Sequence, residues 1–317
     1  MDGLADPVIL LDEKRQVVDA NLAARNLLGE KALGQNLAKS LKAPGIIKAV
    51  DSVLAGEQAM RDEIAIPSPV SRSYEMSVWE LQPRASEKAS WAMLVLHDIT
   101  LAKKADQMRA DFISNVSHEL RSPLSSLVSF IETLRGPARD DLEAQERFLS
   151  IMETEAMRMT HLINDLLALS KLETEEHILP EGKVDLRRIL KQVGAALSIR
   201  ANKRGMKINI KCPPKLPEVN GDGDELTQVF RNLLDNAINY GYEGAPILVA
   251  LKAVGEIPGT GEAGVAASVV NQGDGIGPEH LDRLTERFYR VDKGRSRTMG
   301  GTGLGLAIVK HIINRHR

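Results

Sequence analysis

A single cysteine, Cys212, stands in a chain of 317 residues. That excludes an intramolecular disulfide framework and any cysteine-rich zinc site, and it predicts a reducing compartment. Aromatic residues make up only 3% of the chain. This is too few for a base- or sugar-stacking surface, so Ala, Leu, Val and Ile must build the core. Excess charge of one sign is also lacking. Lys and Arg number 41 against 43 Asp and Glu, a net charge of −2, which excludes a bulk field suited to nucleic acid. No apolar run reaches the roughly 18 residues that a membrane-spanning helix needs. The opening MDGLADPVILLDEKR has neither a basic leader nor a small-residue cleavage site. The polypeptide as given is therefore expected to be cytoplasmic. What is present is 43% hydrophobic and 26% charged residues, an ordinary globular balance that excludes disordered, collagen-like and mucin-like chains. The length predicts two domains or three small ones.

Residues 1–100 read as a small mixed domain. Apolar runs at Pro7–Leu11 and Gln16–Asp19 flank a charged turn, and Asn21 sits where a helix cap belongs, ahead of an Ala- and Leu-rich stretch ending at Gly29. Ser73–Leu81 and Trp91–His97 read as strands separated by polar residues 82–90. From Leu101 onward the pattern becomes helical. Ile113, Val116, Leu120, Leu124, Leu127, Ile131 and Leu134 recur at spacings of three and four. After Gly136 and Pro137 a second series runs through Phe148, Met152, Met159, Leu162, Leu166 and Leu169, with Glu155 at the missing apolar position. Two such helices cannot bury these stripes alone, so a homodimer pairing two hairpins into a four-helix bundle is expected. The remainder reads as a third, α/β unit. Helices at about 185–204 and 224–240 alternate with strands near 206–211, 246–254 and 265–271.

The segment FISNVSHELRSPLSSL, residues 112–127, carries the sharpest chemistry. His118 lies roughly 200° from the apolar stripe of its helix and is expected to face solvent. Pro123, five residues on, is expected to loosen or bend the helix beside it. In DELTQVFRNLLDNAINYG, residues 224–241, Asn232, Asn236 and Asn239 share one polar face, with Leu226, Val229, Phe230, Leu233 and Ala237 opposite. VVNQGDGIGPEHL (269–281), ERFYRVD (286–292) and GGTGLGLAIVKHI (300–312) follow, the first and last rich in glycine. His161, His177, His280, His311 and His316 are scattered without metal-ligand spacing and read as structural or solvent-facing.

In this order the strings resemble the H, N, first glycine, F and last glycine boxes of sensor histidine kinases, whose ATP sites belong to the superfamily that includes gyrase and Hsp90. The resemblance covers residues 112–317 strongly. Residues 1–100 more loosely resemble a PAS sensor domain, with Asp98-Ile99-Thr100 similar to the tripeptide that joins such a domain to an output helix. The composition alone leaves any small α/β domain open there.

The resemblance implies a multidomain α+β chain. It would comprise a PAS-like α/β domain (1–100), dimerising and phosphotransfer helices (101–178) and a GHKL-type α/β sandwich that binds ATP (179–317). It implies that His118 accepts the γ-phosphoryl group of ATP and passes it to an aspartate on a response-regulator receiver domain. An imidazole suits this because it keeps a neutral nucleophilic nitrogen near neutral pH. Glu119 would accept a hydrogen bond from the imidazole, and Ser122, where relatives carry Thr or Asn, keeps a hydroxyl able to orient a water. Asn236 would give its amide oxygen to Mg²⁺, beside Asn232 and Tyr240. Relatives commonly carry Lys or Arg where this chain has Asn239, so one phosphate-facing charge is lacking there. Asn271 occupies the position of the aspartate that receives the adenine amino group. It still accepts a hydrogen bond but without charge, a loss of about 1 kcal/mol, or tenfold in affinity.

Gly273 and Gly275, with Gly301, Thr302, Gly303, Leu304 and Gly305, would bring backbone N–H groups to the nucleotide. Phe288 would pack beside a basic lid at 293–299, with Arg287 or Arg290 turned to phosphates. The strings LTERFYRVDKGRSR and GGTGLGLAIVKHIINRHR are most similar to phosphate-regulon sensor kinases of proteobacteria. That resemblance also implies a terminal β-hairpin beyond Arg317 and membrane helices ahead of Met1, which would make this the cytoplasmic part of an inner-membrane protein. Two other readings stay open: a weakened kinase acting as a dimeric scaffold or regulator phosphatase, and an ATPase without phosphotransfer.

Overall fold

A computed structural model describes residues 2–67, 71–81, 90–257, 261–292 and 301–317. The polar stretch 82–89 and the basic lid at 293–299 lie outside these residues. By internal contacts the chain forms two compact units, Met1–Ile113 and Ser114–Arg317. The expected breaks at 100 and 178 are not where the contacts divide. The first turns of the long helix go with the N-terminal unit, while the rest of the hairpin shares a unit with the C-terminal α/β part.

In the first unit, five antiparallel strands run in the order β2-β1-β5-β4-β3. They are β1 (Val8–Leu11), β2 (Val17–Ala20), β3 (Met60–Pro67), β4 (Ser71–Leu81) and β5 (Trp91–Asp98). Alternation drives the central strands: Tyr74, Met76 and Val78 of β4, and Ala92, Leu94 and Leu96 of β5, turn inward. Three helices intervene between β2 and β3: α1 (Leu22–Leu28), α2 (Leu37–Ser40) and α3 (Pro44–Leu54). Leu37, Ile46, Val50 and Val53 close the core against Ile9, Leu11, Met76, Leu94 and Leu96. Asn21 is buried, and its Oδ1 accepts from the backbone N–H groups of Ala24 (2.9 Å) and Val8 (3.0 Å). One side chain thus caps α1 and ties it to β1.

The helix α4 spans Thr100–Arg135, and α5 spans Leu142–Glu175. Asp98 accepts from the Thr100 N–H at 2.9 Å, and the Thr100 hydroxyl accepts from the Ser73 N–H at 2.9 Å. The Asp-Ile-Thr junction therefore fixes the start of α4 to β4. Pro123 does not break α4, which runs through it as one helix with the ring buried. Asp141 caps α5, and Phe130 stacks on Phe148 at 5.3 Å between ring centroids.

In the α/β part, β7 (Ile208–Lys211), β9 (Ile247–Val254) and β10 (Gly264–Val270) form a sheet in the order β10-β9-β7. β7 and β9 are parallel, and the crossover between them carries α7 (Gly223–Tyr240). Short strands β6 (Lys183–Val184) and β8 (Val219–Asn220) pair beside it. α6 (Leu186–Lys203) and α9 (Gly305–His316) both pack against α7, and the short α8 covers Pro278–Leu281. Leu190, Met206, Phe230, Leu234, Ile238, Ile247 and Val249 form the core. On α7 the buried set includes Leu234 and Ile238, whereas Leu233, expected on that face, is only half-buried. Cys212 is half-buried, just past β7, against this core.

Candidate functional site

α7 positions the asparagines. Asp222 caps it, accepting from the N–H groups of Asp224 (2.8 Å) and Glu225 (3.1 Å). Its buried face fixes its rotation, which leaves Asn232, Asn236 and Asn239 half-buried along one row. Asn232 Nδ2 donates to the carbonyl of Gly305 at 3.2 Å, joining α7 to the first turn of α9. A Cβ at Gly305 would stand 3.5 Å from Asn232 Cγ.

The glycine-rich strings meet their neighbours backbone to backbone. Gly303 has φ +74°, and a Cβ there would lie 2.9 Å from Phe288 Cα. Phe288 itself has φ +62° and donates its N–H to the Gly303 carbonyl at 2.9 Å. A non-glycine residue rarely adopts this conformation, and here the contact with Gly303 holds it. A Cβ at Gly273 would lie 2.7 Å from the Tyr240 carbonyl oxygen. The Tyr242 N–H donates to Gln272 O at 2.8 Å, and the Tyr242 hydroxyl bonds Asp274 at 3.0 Å. Asp274 is thereby engaged, while Asn271 is exposed beside Gly273. The first and last glycine strings, the Phe288 loop and the asparagine row therefore belong to one assembly, with Gly301–Leu304 leading into the N-terminus of α9.

His118 is exposed on α4, as its helical position predicts, and Ser122 is exposed one turn later. Glu119 was expected to serve the imidazole. Its Oε2 lies 3.1 Å from Arg158 of α5 and 3.3 Å from Arg290, whose side chain is 6% exposed. Arg158 also pairs with Glu155 at 3.7 Å. The residue that breaks the apolar series of α5 thus begins a chain of alternating charge, Glu155–Arg158–Glu119–Arg290. Arg287 pairs with Glu173 at 2.5 Å. Arg287 and Arg290, one or the other of which was expected to face phosphates, are thus paired with carboxylates of α5 and α4.

The Thr302 hydroxyl donates to Asp165 of α5 at 2.8 Å. Burial holds the Asp165 carboxyl above its usual range, against the hydrogen bond from Thr302 and the charges of His161 and Arg231. Burial likewise raises Asp235 of α7, opposed first by Arg200. The α5 contacts escaped the sequence reading. Among the other histidines, His316 accepts from the Asp222 N–H at 3.0 Å and donates to Ile312 O at 2.8 Å, and His280 bonds the Tyr289 hydroxyl at 2.7 Å. These roles are structural.

The donor set fits a magnesium nucleotide. Among the described residues, neither Asn236 nor Asn271 makes a side-chain hydrogen bond, and glycines remove the Cβ atoms that would block backbone approach. Comparison with known proteins supports the nucleotide. Residues 108–175 match the His Kinase A (phospho-acceptor) domain, and residues 221–317 match the histidine kinase-, DNA gyrase B- and HSP90-like ATPase family. The phosphate regulon sensor protein PhoR of Pseudomonas aeruginosa is 35% identical over 99% of this chain and 68% of its own length.

The chain belongs to the sensor histidine kinases.

It is a protein histidine kinase of mixed α+β fold with a helical phospho-acceptor region and an ATP-binding domain. The sensor histidine kinase WalK of Bacillus subtilis is 34% identical over 74% of this kinase, which spans 37% of that relative's length. A solved histidine kinase, ThkA in complex with response regulator protein TrrA, covers 90% of this chain and 84% of its own, with 19% identity and a TM-score of 0.48. Among the described residues, no helix of the kinase is long and apolar enough to cross a membrane.

Proposed function

We propose that this kinase phosphorylates itself on His118 with Mg·ATP and passes the phosphoryl group to an aspartate of a response regulator. The observation that carries this reading is the exposed His118 on α4, in the same compact unit as the asparagine row and the glycine loops. In the transfer, an imidazole nitrogen attacks the γ-phosphorus, a P–N bond forms, and the bond to the ADP oxygen breaks. Asn236 would hold Mg²⁺ through its amide oxygen, which fits a hard cation that supplies Lewis-acid neutralisation of the phosphates. Asn232, Asn239 and Tyr240 would flank the triphosphate. Asn271, Gly273 and Gly275 would face the base, and Gly301, Thr302, Gly303, Leu304 and Gly305 the phosphates. Phe288 would support the loop. Glu119 would act on His118 once Arg158 and Arg290 release it, and Arg290 would then be available to the nucleotide.

The functional unit would be a homodimer, with residues 1–100 as a PAS-like sensor, 101–178 as the phosphotransfer hairpin and 179–317 as the ATP-binding part. The 2-1-5-4-3 strand order with helices inserted after β2 supports the PAS-like reading. Likeness to the phosphate regulon sensor protein PhoR supports a role in phosphate-responsive signalling. One observation favours a kinase of reduced strength that serves as regulator phosphatase: Glu119 is tied to two arginines while Ser122 stays exposed beside His118.

Incubation with γ-labelled ATP and Mg²⁺ decides between these readings. Acid-labile, alkali-stable label that disappears in His118→Ala is the expected result. Tight ATP binding with no label on the unaltered chain would overturn autophosphorylation and leave the phosphatase reading.

A further inference from the structure

The asparagine row of α7 has no cation of its own at position 239, yet a neighbouring helix delivers one to that point. Arg200, near the end of α6, donates from Nη1 to Asp235 Oδ1 at 2.7 Å and from Nη2 to Asn239 Oδ1 at 2.5 Å. We propose that Arg200 is a nucleotide-binding residue of this kinase, presenting from α6 the phosphate-facing charge that Asn239 lacks. The assignment rests on the ATP site described above and adds a residue to it.

Charge balance supports it. Asp235 is shared between Arg200 and, at 4.0 Å, Arg231. Two guanidinium groups on one carboxylate leave a net positive charge beside Asn236. Geometry supports it too. The two bonds use two of the five N–H donors of a guanidinium, and the Arg200 side chain remains 48% exposed. A planar group held at two points on α7 is already oriented, so little freedom is lost when a phosphate arrives. Asparagine at 239 is the complement this requires. Its amide oxygen accepts from the guanidinium, whereas a lysine there would repel it.

A purely structural role is less needed, because the adjoining Arg204 already joins α6 to α7. Its guanidinium bonds the carbonyls of Ile238, Asn239 (3.0 Å) and Gly241 (3.3 Å) at the α7 C-terminus.

The test is calorimetric titration of the whole chain with Mg·ATP and, separately, with adenosine. Arg200→Ala is expected to bind ATP about tenfold more weakly, the scale of one charge-assisted hydrogen bond, with adenosine affinity unchanged. Placing the charge on α7 in Arg200→Ala/Asn239→Lys is expected to restore ATP affinity. Equal weakening toward ATP and adenosine would overturn the assignment in favour of a packing role. So would recovery in Arg200→Ala/Asp235→Asn, which would trace the loss to the freed Asp235 carboxylate. ATP affinity unchanged in Arg200→Ala would overturn it outright. An unaltered chain that binds neither ligand would instead overturn the ATP site itself, and this assignment with it.

Discussion

Asn271 shows how far a single side chain can be read. In the proposed ATP site its amide would receive the adenine amino group without adding charge to the bond, and in the structure it is exposed beside Gly273 while Asp274 is occupied by Tyr242. Asn271→Asp is therefore expected to tighten ATP binding about tenfold, by restoring charge assistance. Equal affinities in a titration would show that charge does not matter at that position. His118 was legible because helical angle alone separates it from the apolar stripe. Glu119 was not. Its partners Arg158 and Arg290 lie 39 and 171 residues away in sequence, and no local pattern reports an ion pair closed over that distance.

Between elements, the contact of Thr302 with Asp165 joins the last glycine string to α5. Burial, outweighing the hydrogen bond from Thr302, holds this carboxyl above the ordinary aspartate value of 3.8. The folded chain therefore binds more protons than the unfolded one from that value up to the raised one, and stability falls as pH rises through the window. Asp165→Asn keeps an acceptor for the hydroxyl and removes the ionisation. Its thermal midpoint, compared with that of the unaltered chain, should gain as pH rises through that window and level off above it, and a difference constant across the window would reject the account. Periodicity made most elements legible: β1, β2, α1, β4, β5, both long helices, α6 and α7. β3 escaped because it is an edge strand, with Ile66 its one buried side chain and no clean alternation to read. Pro123 lies inside α4 with its ring buried, and the helix continues through it.

At the scale of the molecule, unsatisfied apolar surface is the main observation. Leu124, Val128 and Ile131 of α4, and Leu149, Ile163 and Leu167 of α5, are between 44% and 65% exposed in the single chain. Such rows are costly in water and are buried by pairing. The double variant Leu124→Asp/Ile131→Asp is expected to convert a dimer into a monomer, measured by light scattering. A variant still dimeric would place the interface elsewhere. The two compact units divide inside α4, not at the end of the N-terminal sheet. Composition shifts mark changes of element type, whereas contacts decide which elements form a body.

The sequence by itself determined the chemistry this chain can carry: a solvent-facing histidine, a row of asparagines and two glycine strings, each set by spacing within one helix or loop. Only the tertiary structure decided how the charges around them are committed. Arg290 and Arg158 close on Glu119, Arg287 on Glu173, and Arg200 on Asp235 and Asn239. The reason is physical. Backbone periodicity is written in neighbouring residues, whereas a long cationic side chain takes whichever carboxylate or amide folding brings within reach.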